Sequence, residues 1–278
     1  MRVCAMTNVF NERANLPIWL RHYGTQLGPE NLVVLDHSST DGSTRDVGAA
    51  GIVRLPRTPF DDPQRATLVS AFATGLLQFY DAVIYSDCDE MLVADPAEYG
   101  GLRDFAACMA GPAATAIGVN VKQNLAAEDA LDFSRGVLAQ RSLVQFVSPM
   151  CKTLLVKRPP SWGGGFHSSN FEPAFGGLYL FHLRDVDLAT SLQRLAVTRH
   201  VEFANPQHGG HHRVTADAYV RRFLPVVTAP VAEGWDFSAD TQAFRDRAVH
   251  SHTDRWYIPE HWHGTMHVRI PERFRDVF

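Results

Sequence analysis

The residues best placed to do chemistry in this chain are the run Asp87-Cys88-Asp89-Glu90. It follows Ala82-Val83-Ile84-Tyr85, a short apolar stretch that reads as a buried strand, so the acids stand at a strand's carboxyl end. Two carboxylates one residue apart can both reach a bound cation or its waters. Oxygen ligands suit Mg²⁺ or Mn²⁺, which bind through one or two carboxylates plus substrate phosphates. Such an ion would neutralise charge as a sugar–phosphate bond breaks. An Asp-x-Asp alone is common and is often a loop cap or a solvated pair. Its setting is what raises it above that.

That setting is an alternation of strands and helices. Residues 3–9 form an apolar run that stops at Asn11-Glu12. Asn15 is placed to cap the next helix, Pro17 is tolerated in its first turn, and Trp19, Tyr23 and Leu27 follow near helical spacing. Residues 32–35 are a continuous apolar strand that ends at Asp36-His37-Ser38-Ser39-Thr40-Asp41-Gly42-Ser43, a loop and helix start in one. Residues 51–55 read as another strand. Asp62-Pro63 opens a helix whose Val69, Phe72, Ala73, Leu76 and Tyr80 repeat at three and four. A helix over 96–109 and a strand over 115–121 come next. This pattern predicts an α/β fold with a mostly parallel, Rossmann-like sheet flanked by helices. In such sheets ligands bind beyond the carboxyl ends of the strands, which is where Asn11-Glu12, 36–43 and 87–90 all fall. Core packing has no need of so much polarity at three successive strand ends.

These three motifs, together with Tyr85-Ser86 before the acids, resemble the signatures of family-two-like glycosyltransferases. The likeness is to the bacterial branch that carries Asp-x-Asp-Glu. It covers residues 1–125 well and 126–200 weakly. The resemblance implies a GT-A fold, a nucleotide-sugar donor, Mn²⁺ or Mg²⁺, and a metal-dependent, inverting transfer to a glycan or lipid-linked hydroxyl acceptor in polysaccharide biosynthesis. By the same resemblance Thr7, Asn11, Glu12 and Asp36 hold the base and ribose, and Asp89 binds the metal. Asp87 lies near the ribose or a metal-bound water, and Arg65 sits where relatives carry a basic residue near the donor. An exposed helix charge is an equal reading of Arg65. Many relatives have a second Asp where this chain has His37, so the base is unassigned and UDP stands as the default.

The second half is less regular. Residues 151–156 and 178–183 read as strands and Gly163-Gly164-Gly165 as a mobile loop. The order Lys152, then Gly-rich turn and His167, then a strand reaching His182, resembles the related branch. It implies that Lys152 serves the donor and that His167 or His182 completes the metal or diphosphate site. A lone histidine is more often a satisfied structural one. An inverting transfer needs a base beside the acceptor hydroxyl. Glu172, Asp185 and Asp187 are candidates by position, and His167 is another. Glu90 can instead orient the Asp89 loop, and Cys88 reads as structural.

From about 205 the chain is rich in His, Pro and Arg. The division expected is a nucleotide-sugar-binding and catalytic domain over 1–204 and an extension over 205–278 packed on it, with helices near 215–224 and 240–249. His208-Gly209-Gly210-His211-His212-Arg213 lacks metal-site spacing and reads as a loop over the donor phosphates or a solvated one. His250, His252, His261, His263 and His267 continue the enrichment. Trp256, Tyr257 and Trp262 could stack on an acceptor sugar or pack the extension.

Bulk properties agree. The chain has 278 residues, 45% hydrophobic and 20% charged, with formal net charge −4. That supports a sizeable core and gives no general attraction to nucleic acid. Four cysteines, Cys4, Cys88, Cys108 and Cys151, form no CxxC pair. The amino-terminal apolar run is too short for a signal peptide, and no window approaches the ~20 apolar residues of a spanning helix. The expected location is cytoplasmic, with peripheral membrane contact left open. Two other functions compete. A nucleotide-sugar nucleotidyltransferase would show a Gly-rich basic first loop, where this chain has Asn11-Glu12-Arg13. A non-catalytic carbohydrate-binding protein on a transferase fold would not need both Asp87 and Asp89. A metal-dependent hydrolase using the late histidines is weaker.

Overall fold

The computed structural model describes residues 1–207, 209–210, 213–228, 230–232, 241–259 and 263–278. The strands in chain order are β1 Val3–Val9, β2 Leu32–Asp36, β3 Gly51–Arg54, β4 Ala82–Tyr85 and β5 Glu90–Ala94. β6 Ala113–Thr115, β7 Ile117–Lys122, β8 Leu143–Val147, β9 Thr153–Val156 and β10 Ser168–Ser169 follow. The last are β11 Leu178–Asp185, β12 Val231–Ala232, β13 Val249–His250, β14 Trp256–Tyr257 and β15 His263–Arg269. The helices are α1 Asn15–Leu27, α2 Asp62–Leu76, α3 Leu102–Cys108, α4 Leu188–Thr198, α5 Ala216–Val220, α6 Leu224–Thr228 and α7 Thr241–Asp246.

The first sheet has the order β3-β2-β1-β4-β9-β6. β3, β2, β1 and β4 run parallel, β9 runs antiparallel between β4 and β6, and β6 at the edge runs with the first four. This is the expected α/β architecture, a Rossmann-like half with helices between parallel strands. A 3-2-1-4 order places the strand ends of β1, β2 and β4 side by side. The sequence did not foretell a second sheet of the order β12-β15-β8-β7-β11-β5, nor the small sheet β10-β14-β13. β5 leaves the acid loop directly and pairs antiparallel with β11, with His182 opposite Glu90. β11 in turn runs parallel to β7, with His182 opposite Asn120. The acid loop is thus the hinge between the two large sheets.

Several expected elements differ in detail. Asn15 does not cap α1: it is the first helical residue, and its side chain turns to Glu12 at 3.3 Å. Asp62-Pro63 opens α2 as expected, and Asp61 before it caps the helix by accepting from the Gln64 amide. The helix expected over 96–109 is confined to α3. The strand expected over 115–121 is two strands in two different sheets, β6 and β7, divided at Ala116. The helix near 215–224 is two short ones, α5 and α6. The Gly-rich stretch expected to be a mobile loop is a tight 3-10 turn over Gly164–Phe166. Phe166 is buried there at φ 59°, with its ring 4.0 Å from that of Tyr85.

One core runs through both large sheets. Trp19 and Tyr23 of α1 are fully buried in it, each worth roughly 2–3 kcal/mol of burial. Their polar ends are also used. The Trp19 indole N–H donates to Ser86 at 2.8 Å. The Tyr23 hydroxyl donates to the Glu90 carbonyl at 3.2 Å and accepts from the Leu92 amide at 2.9 Å. α1 therefore holds the acid loop on both sides. Phe274 and Phe278, near the carboxyl end, pack on Phe181 of β11.

Candidate functional site

At the end of β1 the chain turns through Asn11, whose φ of 57° is left-handed, a conformation Asn tolerates better than most residues. Its side-chain oxygen accepts from the amides of Thr40 at 2.8 Å and Asp41 at 3.2 Å, tying the β1 loop to the β2 loop. At the end of β2, Asp36 is fully buried. It accepts from the Ser39 amide, the Thr44 hydroxyl and Arg54, all within 2.9 Å. His37 faces Arg57 at 3.0 Å and the Thr58 amide at 3.2 Å. Burial, then the charge of Arg57, lowers its pKa. The Arg57 guanidinium lies 3.8 Å over the Phe10 ring.

The acids beyond β4 are each matched to a cation. Asp87 accepts from Arg65 at 2.9 Å and from the Tyr85 hydroxyl at 2.7 Å. Burial acts to raise its pKa, but Arg65 and then Lys152 outweigh it and hold the carboxyl below its ordinary value. Arg65 is anchored in turn by Asp62 and lies 4.9 Å from the Phe166 ring. Asp89 accepts from Arg194 and from His182, the latter at 3.2 Å. Burial opposes ionisation of Asp89 too, yet Arg194 and His182 keep its pKa well below the carboxylate range. Arg194 also donates Nη2 at 2.8 Å and Nε at 3.1 Å to Glu12. Burial raises the Glu12 pKa, with Arg194 acting against the rise. Glu90 pairs with Lys152 at 2.6 Å, and both are almost wholly buried. Burial nonetheless pushes the Glu90 carboxyl upward, and its second oxygen has no hydrogen-bond partner.

The structure brings Glu12, Arg65, Asp87, Asp89, Lys152 and His182 into one contiguous network. His167 stands at its margin. Its Nδ1 is 2.7 Å from the Pro149 carbonyl, an acceptor only, so Nδ1 carries the proton and Nε2 the lone pair. The residue is exposed, and Lys152, Asp87 and His182 are near enough to act on its charge. Desolvation and then the charge of Lys152 lower its pKa, so it is neutral at pH 7. Thr7 is fully buried in β1, and its hydroxyl has no partner. Asn11 and Asp36 stand at the neighbouring strand ends, holding their own loops. Asp185 is elsewhere: it is buried in an ion pair with Lys122. Glu172 is an exposed surface residue, and Asp187 caps α4. His208, His211, His212, His261 and Trp262 lie outside the described residues. His250 pairs with Asp254 at 3.0 Å and packs on Trp256 in the small sheet.

Sequence reasoning did not single out Arg194. It lies in an amphipathic helix, where it reads as any surface arginine, and no local signal marks it. Asn120, 2.8 Å from His182 Nδ1, is hidden likewise inside an apolar strand. An open groove of about 380 Å³ is lined by Phe10 and Asn11 after β1 and by Ala196, Val197 and His200 at the end of α4. Another of similar size lies between Gln26 and Arg103, away from the acids.

Among the described residues, no three His, Cys, Asp or Glu side chains are grouped so as to hold a metal ion. In the arrangement seen, Asp89 already has a guanidinium for its cation, and so has Asp87. The donor chemistry suits Mg²⁺ or Mn²⁺, but the seat is filled from within. Among the described residues, no helix is long and apolar enough to cross a membrane.

No protein-family model matches the chain, and no curated protein matches its sequence. Some solved structures do. The mannosyltransferase PcManGT from Pyrobaculum calidifontis, in complex with GDP-Man and Mn²⁺, aligns over 56% of this chain and 44% of its own, with 19% identity and a TM-score of 0.30. A cytidylyltransferase from Leptospira borgpetersenii serovar Hardjo-bovis aligns over 32% and 42%, with 14% identity and a TM-score of 0.24. A protein described as mannose-1-phosphate geranyltransferase from Thermus thermophilus aligns over 81% and 65%, with 10% identity and a TM-score of 0.31. The match spans less than two thirds of each of these neighbours. At such TM-scores the likeness carries no statement about activity.

Proposed function

We propose that the protein is a glycosyltransferase of the family-two-like, GT-A kind, taking a nucleotide-sugar donor and a glycan or lipid-linked hydroxyl acceptor. The observation that carries this reading is the convergence of the β1 and β4 strand ends on one network, with the β2 end tied beside it through Asn11. The β1 loop brings Glu12, the β2 loop Asp36 and His37, and the β4 loop Asp87 and Asp89. Arg65, Arg194 and Lys152 supply positive charge there, as a diphosphate leaving group requires. A divalent cation, Mn²⁺ or Mg²⁺, belongs to the same reading and would supply charge neutralisation at the diphosphate when bound at Asp89. Arg65 holds Asp87 ionised, and Lys152 holds Glu90 beneath the loop.

For an inverting transfer His167 is the candidate base, because its Nε2 lone pair is the one left to accept a proton. A bound anionic diphosphate would raise its basicity. Asp185 is committed to Lys122. Catalysis over 1–204, with 205–278 as an extension and a cytoplasmic setting, completes the proposal.

A nucleotidyltransferase would use backbone amides of the first loop to cradle phosphates. Here that loop presents the carboxylate of Glu12, which favours the glycosyltransferase. The test is thermal unfolding with UDP, GDP, CDP or dTDP, with and without Mn²⁺, on the wild type and Asp89→Asn. A nucleotide at about 100 times its dissociation constant stabilises the native state by about 2.7 kcal/mol. One nucleotide that stabilises only with metal and only with Asp89 intact supports the proposal and names the base. No stabilisation by any of the four removes it.

A further inference from the structure

Arg194 sits where a cation is expected. Its guanidinium spends three N–H groups on two carboxylates from different strand ends, Glu12 after β1 and Asp89 after β4. The two acids are nearly buried, at 12% and 6% side-chain exposure, whereas Arg194 is 31% exposed. Without a cation between them they repel: the charge of Asp89 acts to raise the Glu12 pKa. A fixed guanidinium satisfies such a pair well, but so does a compact divalent ion.

Two features favour release of the arginine. Its side chain reaches the surface, so a ligand meets it without crossing the core. α4, which carries it, also packs through its own small apolar cluster. Leu195, Tyr219 and Phe223 form that cluster, with Leu188 and Leu192 against it, separate from the main core. Such a satellite unit shifts at lower cost than an element of the central sheet. Asp89 keeps His182 whatever α4 does, because the β5–β11 pairing fixes that histidine.

We propose that Arg194 is an exchangeable counter-ion: it fills the cation seat between Glu12 and Asp89 while no donor is bound, and a divalent cation that takes those carboxylates releases it to the donor's phosphates. This rests on the nucleotide-sugar reading for the second half only; the first half concerns the cation alone.

The experiment measures Mn²⁺ binding to the full chain through the electron paramagnetic resonance signal of the free ion, without nucleotide. Arg194→Gln should bind Mn²⁺ about tenfold tighter than the wild type, since the ion no longer displaces an internal cation. Arg194→Lys should stay close to the wild type because the charge is kept. Asp89→Asn in the Arg194→Gln background should remove the gain. With Mn²⁺ present, inorganic pyrophosphate should bind Arg194→Gln about tenfold more weakly. Mn²⁺ affinity unchanged or lowered in a folded Arg194→Gln variant overturns the first half, and undiminished pyrophosphate binding overturns the second. If the variant does not fold, ¹⁵N-arginine spectra of the wild type give the answer. The Arg194 Nε–H signal should move as Mg²⁺ is added, and a signal constant throughout the titration overturns the inference. Nucleotide stabilisation of the wild type with no Mn²⁺ effect of Arg194 would sink this inference and leave the transferase reading standing. The converse result would sink the transferase reading and the second half with it, and leave the first half standing.

Discussion

The indole of Trp19, in the middle of α1, donates its N–H at 2.8 Å to the hydroxyl of Ser86, the residue before Asp87. Both are fully buried, so the first helix of the chain sets the height of the acid loop. Trp19→Phe keeps an aromatic in the core but leaves the Ser86 hydroxyl without this donor. The expected loss is about 1–3 kcal/mol in urea unfolding. Ser86→Ala should lose a similar amount, and the double variant less than the sum of the two. Simple additivity would show that the bond does not couple helix to loop.

Lys152 and Glu90 form a buried pair at 2.6 Å beneath the acids. Removing one partner strands a charge, so Lys152→Met should cost about 3–5 kcal/mol. Adding Glu90→Gln should recover a large part of that. Stability that falls further in the double variant would mean that each residue acts through other neighbours.

His22 gives the protein a calculable acid sensitivity. It is buried in α1, with Nε2 donating to the Leu92 carbonyl at 2.7 Å, and burial pushes its pKa down to about 4. In the unfolded chain an imidazole titrates near ~6.5. The unfolded state therefore takes up a proton that the native state refuses. The stability tied to neutral His22 is complete above pH 6.5 and is lost as pH falls toward 4, by about 3 kcal/mol. The stability difference between wild type and His22→Gln, followed from pH 7 to 4, should shrink by about that amount. A pH-independent difference would contradict a buried neutral histidine.

Gly118 of β7 permits the close approach of the turn at 148–150. A Cβ there would lie 2.2 Å from the Met150 carbonyl carbon, which is backbone and cannot swing away. Gly118→Ala should destabilise by about 3 kcal/mol through forced displacement of that turn. Calorimetry checks this: a melting temperature equal to the wild type's would show that the turn yields freely.

The parts legible beforehand share one property, which is that their signals are local. β1, β2 and β4 are short apolar runs, each broken by polar residues, and the break itself marks the strand's carboxyl end. Residues Asn11-Glu12, Asp36-His37 and Asp87-Cys88-Asp89 announce themselves in this way. The division of 113–122 between two sheets gave no such signal. The stretch is apolar throughout, since both β6 and β7 are buried, and periodicity cannot say where a uniformly apolar strand changes partners. The Gly-rich turn misled for a related reason: glycines permit mobility, but the packing of Phe166 on Tyr85 removes it here.

Sequence by itself determined that carboxylates would gather at the ends of a parallel sheet, because strand polarity and strand order bring such ends to one side of any fold of this kind. It could not determine what faces those carboxylates. Arg194 follows Asp89 by 105 residues and comes from a helix whose local pattern requires only one apolar face. His182 reaches Asp89 only through the register of β11 on β5. Which cation meets which acid is a property of long-range pairing, and that was decided in the tertiary structure alone.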